Sequence, residues 1–353
     1  MEEFVKTLRH WYLENRRDLP WRNTRDPYPI WLSEIILQQT RVNQGLPYYH
    51  RFLEAFPTVS DLANAPQDKI MRLWQGLGYY SRARNLQAAA KEIVLYHNGK
   101  FPADYTSIRA LKGVGDYTAA AIASFAYNFP HPVVDGNVYR FLSRLTGNAT
   151  PIDSSAGKKE FAELAHELLD PHEPGLHNQA MMEIGATVCL PVNPICDDCP
   201  FHAACDAYLN NRIQELPVKS KKTAVRKRYF HYFVFVNGDQ TYISQRSAGD
   251  IWTGLYEFPL VETPGPEKEP VNTLLNQFKG SIKISKEYRH LLSHQKLHAH
   301  FYHIKTGKKP PVEFGKLQKV NVGDLDFFAF PQLIVKYLRE EKFYPVLSAF
   351  LNN

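Results

Sequence analysis

Cysteine is scarce in this chain: four residues in 353, all between Cys189 and Cys205. A disulfide framework spreads its cysteines across a fold, so this clustering argues against one and points to a metal site in a reducing compartment. Long uncharged runs are also missing. The longest, from Tyr117 to Val134, is broken by Thr118, Ser124, Asn128, Pro130 and Pro132. It reads as a buried helix and a turn, and no membrane partner is expected. The start, Met1-Glu2-Glu3-Phe4, has neither a basic segment leading into an apolar core nor an Arg/Ser-rich transit pattern. The expected setting is therefore intracellular: the cytoplasm, with the bacterial nucleoid, or another compartment holding DNA. No repeat of fixed period and no low-complexity tract occurs, which excludes solenoids and fibrous architectures. Neither sign of charge dominates. Charged residues make up 22%, hydrophobic residues 44%, and the net charge is +6, a balance ordinary for a globular protein and compatible with a nucleic-acid partner.

A chain of this length predicts two domains. Residues 1–211 read as nearly all helix, with apolar residues at helical spacing in windows 47–55, 83–95, 117–127 and 159–169. Pro27-Tyr28-Pro29, Asn98-Gly99 and Pro171–Gly175 punctuate them. Between Arg212 and Arg228, seven basic residues and one acidic residue surround Pro217, the signature of a basic linker at 212–228 that is either simply solvated or also touches DNA phosphates. From residue 229 to 353 the pattern changes to strands. Tyr229–Val236 and Thr241–Ser244 flank the turn Asn237-Gly238-Asp239 and predict a hairpin, Leu297–Ile304 is a further strand, and 271–278 and 331–340 are helix candidates. The predicted fold class is multidomain: an all-α domain followed by a smaller α+β domain.

The cysteines Cys189, Cys196, Cys199 and Cys205 are spaced Cys-x6-Cys-x2-Cys-x5-Cys. Four thiolates this close suit a tetrahedral zinc ion or an iron–sulfur cluster. Only one short Cys-x2-Cys pair exists, where structural zinc sites commonly use two. Residues Ile108–Ala120 read as helix, tight turn, helix, with Leu111 and Val114 as apolar pins and Gly113 and Gly115 flanking Val114. Outward-facing amides at the start of the second helix would bind a phosphate without reading sequence.

Hairpin and cysteine spacing together resemble the helix–hairpin–helix, endonuclease III-like glycosylases, and that resemblance implies a 4Fe-4S cluster on the four cysteines. Lyase-competent members carry a lysine two residues after the second hairpin glycine. Here the position is Tyr117, which cannot form an imine, so a monofunctional glycosylase with water as the attacking group is expected. The segment Trp31-Leu32-Ser33-Glu34-Ile35-Ile36-Leu37-Gln38-Gln39-Thr40 is similar to the catalytic helix of the adenine DNA glycosylase (MutY) family. Val133-Val134-Asp135-Gly136-Asn137-Val138 is similar to its second catalytic motif, and Trp74–Arg82 to a further one. By residue chemistry alone, Glu34 sits among apolar neighbours that would raise its pKa, shares a helix face with Gln38, and Asp135 caps the helix through Val138–Leu145.

The resemblance covers about residues 5–345 and implies an enzyme that removes adenine mispaired with 8-oxoguanine, or with guanine, from double-stranded DNA. Glu34 would protonate the flipped adenine, ionised Asp135 would stabilise the oxocarbenium charge, and Tyr117 and Asn137 would orient them. Trp21, Arg22 and Glu183 would form the adenine pocket. Gln38, with Gln39 and Thr40 beside it, would fill the space left by the departed base, and Tyr79 would wedge into the stack. Trp252–Pro259 is similar to the family's Nudix-like 8-oxoguanine-recognition domain, without the clustered glutamates of a magnesium-binding pyrophosphatase. Leu292-Ser293-His294 stands where the family has Phe-Ser-His. Ser293 would bond the damaged base and His294 the base or a phosphate, while Leu292 puts a stacking role in doubt. A monomer is expected. The alternatives are an endonuclease III-like glycosylase/lyase on oxidised pyrimidines, a non-catalytic lesion-sensing protein and an electron-transfer iron–sulfur protein.

Overall fold

The computed structural model describes residues 2–220, 224–267, 269–278, 282–307 and 309–341. The chain divides into two compact units, 1–65 with 85–222 and 66–84 with 223–353. The sequence predicts an unbroken 1–211 domain. The structure departs from it, because residues 66–84 pack with the C-terminal part: Arg84 Nη1 donates to Thr253 O at 2.6 Å and Arg72 pairs with Asp326 at 3.6 Å.

The first unit is helical. Its helices are α1 (Glu2–Asn15), α2 (Pro27–Leu37), α3 (Val42–Ala55) and α4 (Val59–Asn64), then, beyond α5 (Gln67–Trp74) of the second unit, α6 (Ser81–Tyr96, of which the residues from Asn85 on belong to this unit), α7 (Tyr105–Ala110), α8 (Asp116–Tyr127), α9 (Gly136–Thr146), α10 (Ser155–Glu167), α11 (Pro174–Thr187) and the single turn α12 (Asp206–Leu209). Each apolar window of the sequence falls on one of them. α2 starts cleanly: Asp26 accepts from Tyr28 N at 2.9 Å and Pro27 occupies the first turn, where its missing N–H costs nothing. The face that Glu34 shares with Gln38 is covered as well as the apolar one. Tyr28 and every residue from Ile30 to Ile36 are buried, so neighbours cover all its faces. α11 passes close to α9 at Gly185, where a Cβ would lie 2.6 Å from Asn137 O. The basic segment after Arg212 is not a free connector along its first half. Leu216 is buried, Arg144 Nε donates to Leu216 O at 3.0 Å, and Ile152 N donates to Val218 O at 3.0 Å. Lys221–Thr223 lie outside the described residues.

The second unit is built on an eight-stranded sheet: β1 (Arg226–Asn237), β2 (Gln240–Gln245), β3 (Tyr256–Glu257), β4 (Leu260–Thr263), β5 (Ile282–Ile284), β6 (Tyr288–Leu291), β7 (Gln295–Lys305) and β8 (Gln318–Asn321), with α13 (Glu269–Leu275) and α14 (Gln332–Glu340). β1 and β7 run parallel in register from Arg226↔Gln295 to Val236↔Lys305, and every other pairing is antiparallel. The predicted β1–β2 hairpin, the β7 strand and both helices are present. The five strands not predicted are two to four residues long, too short to show alternation. One face of β1 and β7 (Phe230, Tyr232, Val234, Phe301) packs on α14, with Phe301 and Tyr337 stacked 3.8 Å apart. On the other face Phe233, Phe235, Tyr302 and Ile304 meet Val271 and Leu275 of α13. Among the described residues no helix is long and apolar enough to cross a membrane.

A buried ion pair ties the segment after α1 to α11. Glu183, fully buried, accepts from Arg17 Nη2 and Arg22 Nη2 at 2.6 Å each, and also from Arg17 Nε and Arg17 N. Burial alone would push the Glu183 carboxyl up. The arginines outweigh it and hold it at about 2, below the ordinary 4.5. Its stabilisation is therefore complete above about pH 4.5 and is lost as pH falls toward 2. Glu183→Gln is expected to lower neutral-pH stability toward the lower end of about 3–5 kcal/mol, since Arg17 is partly exposed. It should also flatten the rise in urea midpoint between pH 3 and 4.5. Equal slopes in variant and wild type would contradict this assignment.

Candidate active site and cysteine centre

The burial of α2 decides the character of Glu34. Only 6% of this glutamate is exposed, and the Tyr117 hydroxyl donates to its Oε2 at 2.7 Å. Tyr117 is the second residue of α8, directly after the hairpin, so the turn that ends α7 also delivers the phenol to the carboxyl. Burial pushes Glu34 up to about 7. The Tyr117 bond opposes this, and the nearby Asp135 charge reinforces it.

Asp135 is placed by the start of α9. As the cap residue it accepts from Asn137 N and Val138 N at 2.8 Å each, and from Asn137 Nδ2 at 2.7 Å. The cap predicted from sequence is present. Burial drives the Asp135 pKa above the ordinary carboxylate value, with the three donated bonds acting against it. Two carboxyls thus share one cavity in unlike surroundings: Glu34 beside the Tyr117 phenol, Asp135 under three N–H donors. Arg140, not singled out from sequence, holds the second group. It donates to Asn137 Oδ1 at 2.9 Å and to Cys189 O at 2.6 Å.

The cavity has a volume of about 580 Å³, within the range of ligand pockets. Glu34, Asp135, Tyr117 and Asn137 line it together with Trp21, Arg22, Gln38, Gln39, Thr40 and Glu183. Trp21 is buried edge-on against Tyr49 at 5.1 Å. Gln38 is the residue that caps the end of α2, and its amide donates to Thr118 Oγ1 at 3.2 Å. Gln39 holds a φ of 57°, a conformation that costs a non-glycine residue free energy. Arg17 also lines the cavity and was missed in the sequence, although a buried glutamate on α11 demands a cation. Among the described residues no lysine lines it.

The hairpin forms as expected, with Leu111 and Val114 buried. The two glycines differ in their reasons. Gly113 has φ +77° and lies against Asn85, where a Cβ would come within 2.6 Å. Gly115 has an ordinary φ of −94° and caps α8, with nothing within 4 Å of an added Cβ. It leaves the first amides of α8 approachable, as phosphate binding requires. Tyr79, Ser293 and His294 do not belong to the Glu34 cavity. They line a second one, of about 700 Å³, within the second unit. There the Tyr79 and Ser293 hydroxyls are in direct hydrogen-bond contact. The turn holding Ser293 is closed by Leu292 N donating to Gln295 O at 2.8 Å.

Cys189, Cys196, Cys199 and Cys205 are all free thiols and line one cavity with Phe141, Val188 and Phe201. Burial pushes Cys199 up to about 11, so a bound cation is what would keep it a thiolate. Arg144 Nη1 reaches Cys189 Sγ at 3.5 Å. Among the described residues no three cysteine, histidine or acidic groups converge as a single ion requires.

Residues 32–170 match the family model described as HhH-GPD superfamily base excision DNA repair protein, and residues 231–340 match that of the NUDIX domain. An adenine DNA glycosylase from Buchnera aphidicola subsp. Baizongia pistaciae (strain Bp) is 35% identical over 301 residues, covering 84% of this chain and 84% of its own. One from Mus musculus is 33% identical over 87% of this chain and 71% of its own. A solved structure of a thermostable thymine-DNA glycosylase is 30% identical with a TM-score of 0.55, over 59% of this chain and 96% of that one. Two domain matches in the order of the two folds, and relatives aligned across both, establish that the chain belongs to the adenine DNA glycosylase family of the HhH-GPD superfamily.

Proposed function

We propose that this DNA glycosylase of base excision repair hydrolyses the N-glycosidic bond of adenine mispaired with 8-oxoguanine, or with guanine, in duplex DNA, without lyase activity. The observation that carries the proposal is a buried carboxyl titrating near neutrality, hydrogen-bonded to a phenol at the position where a lyase carries its amine. A flipped adenine leaves its sugar through a cation-like transition state, which calls for an acid at the base and a negative charge at the sugar. Glu34 supplies the proton. Asp135, its carboxylate form favoured by the bonds from two amides and Asn137, stabilises the oxocarbenium charge. Water completes the hydrolysis, with Glu34 as its base. Trp21, Arg22 and Glu183 hold the base, and Gln38 fills its place after departure. The hairpin amides at Gly113 and Gly115 take a backbone phosphate. In the second unit, Ser293 and His294 address 8-oxoguanine and Tyr79 the stack beside it.

We assign a 4Fe-4S cluster to Cys189, Cys196, Cys199 and Cys205. Four thiols around one cavity, with only one short Cys-x2-Cys pair among them, suit a multinuclear group better than zinc. When bound, the cluster supplies a cross-link that fixes the loop. The enzyme acts as a monomer, inside the cell and on DNA.

Duplexes carrying adenine opposite 8-oxoguanine, guanine or thymine provide the test, scored for free adenine and for strand breaks. Adenine release from the first two without breaks is expected, and Glu34→Gln should abolish it. Breaks, or a covalent adduct trapped by borohydride, would overturn the monofunctional assignment. The neutral acid form of Glu34 prevails below about pH 7, so the single-turnover rate should fall as pH rises through 7. Tyr117→Phe removes a bond that favours the carboxylate. A hydrogen bond to a charged group contributes about 1.5–3 kcal/mol, roughly one to two pKa units, so the alkaline limb should move up by about one to two units. A downward move would reject this pairing.

A further inference from the structure

The sheet register of the second unit brings together two lysines with no acidic partner among the described residues. Lys227 on β1 stands directly opposite Lys296 on β7, and Lys296 stands opposite Leu291 on β6. Residues directly opposite share a face, and like charges so placed destabilise a sheet. Two residues further along the same face, Tyr229 stacks on His298 at 5.0 Å. The carboxylate there, Glu287, is already engaged by His298 at 2.8 Å and by Arg289. Among the described residues no ion pair reaches Lys227 or Lys296. Nor is Lys296 an edge-guarding lysine, because it lies between two paired strands. The apolar contacts of α13 begin only at Phe233 and Tyr302, and Leu291 is 72% exposed.

The location adds the second half of the case. The lysine pair sits at the base of the Leu292–His294 turn, and Arg226 N donates to His294 O at 3.0 Å, tying β1 to that turn. Two residues of strand span about 7 Å, and each DNA strand presents a phosphate about every 3.4 Å of axis. A base met by the turn therefore brings backbone phosphates of its own strand within reach of both ammonium groups. We propose that Lys227 and Lys296 form a phosphate-binding strip for the strand opposite the excised adenine. This presupposes the duplex substrate proposed above. An anion between the two lysines turns their mutual repulsion into attraction, and the contact positions the strand without reading its sequence.

The test uses the full-length, cluster-loaded protein and fluorescence anisotropy at several salt concentrations. The probes are a duplex with hydrolysis-resistant 2′-fluoro-deoxyadenosine opposite 8-oxoguanine and an undamaged duplex. Each lost phosphate contact removes about 0.9 from the slope of log K against log salt. Lys227→Ala/Lys296→Ala should lose about 1.8 on both duplexes, melt no lower than wild type, and keep its single-turnover excision rate at saturating enzyme. The control Lys283→Ala/Lys286→Ala removes lysines paired with Glu341 and Glu340 at 2.8 Å and should keep its slope. An unchanged slope in the first variant, or an equal loss in the control, overturns the strip. Failure of wild type to release adenine from the natural 8-oxoguanine duplex sinks the proposed activity instead, and leaves the slope comparison intact.

Discussion

Burial of one carboxyl group governs this molecule. Glu34 is on a helix covered on all faces, and removing a carboxylate from water favours its neutral form. The surrounding architecture serves that condition. Asp26 and Pro27 start the helix, α8 brings a phenol instead of an amine, and α9 turns its first amides toward a second carboxyl. The two carboxyls thus differ in their surroundings, not in the kind of group they carry, and the proposed roles of proton donor and charge stabiliser rest on that difference.

The rest of the first unit supports this arrangement at longer range. Arg140 joins Asn137 to the carbonyl of Cys189, and Arg144 joins the end of α9 to Leu190 O at 2.7 Å. The helix that presents Asp135 is therefore hydrogen-bonded at its far end to the loop carrying the cysteines. Glu183 fixes Arg17 and Arg22 at the cavity wall, so the wall is held by a buried ion pair and not by apolar packing alone.

Much of the site was legible in the sequence because its chemistry is local. The cap at Asp135 and the four cysteines in one segment are readable from the residues themselves, while Tyr117 two residues past Gly115 stands out only through the family resemblance. What could not be read depends on distant partners. Arg17 acquires its role only when α11 brings Glu183 beside it, 166 positions away in sequence. The burial of α2 from Ile30 to Ile36 was invisible, since one segment's pattern does not show how many neighbours will cover it. Residues 66–84 look like continuous helical domain, yet Arg84 and Tyr79 bond to Thr253 and Ser293. The short strands β3, β4, β5, β6 and β8 exist through pairing with β1, β2 and β7, which no single-strand pattern reveals.

The protonation state of Glu34 in the resting enzyme is the most direct point of attack. Carbon-13 NMR of protein labelled at the glutamate δ-carbon, with Glu34→Gln to assign the resonance, reports it without turnover or DNA. A midpoint near 7 is expected. A midpoint near the ordinary 4.5 would show that burial does not hold the acid neutral and would contradict the account at its centre.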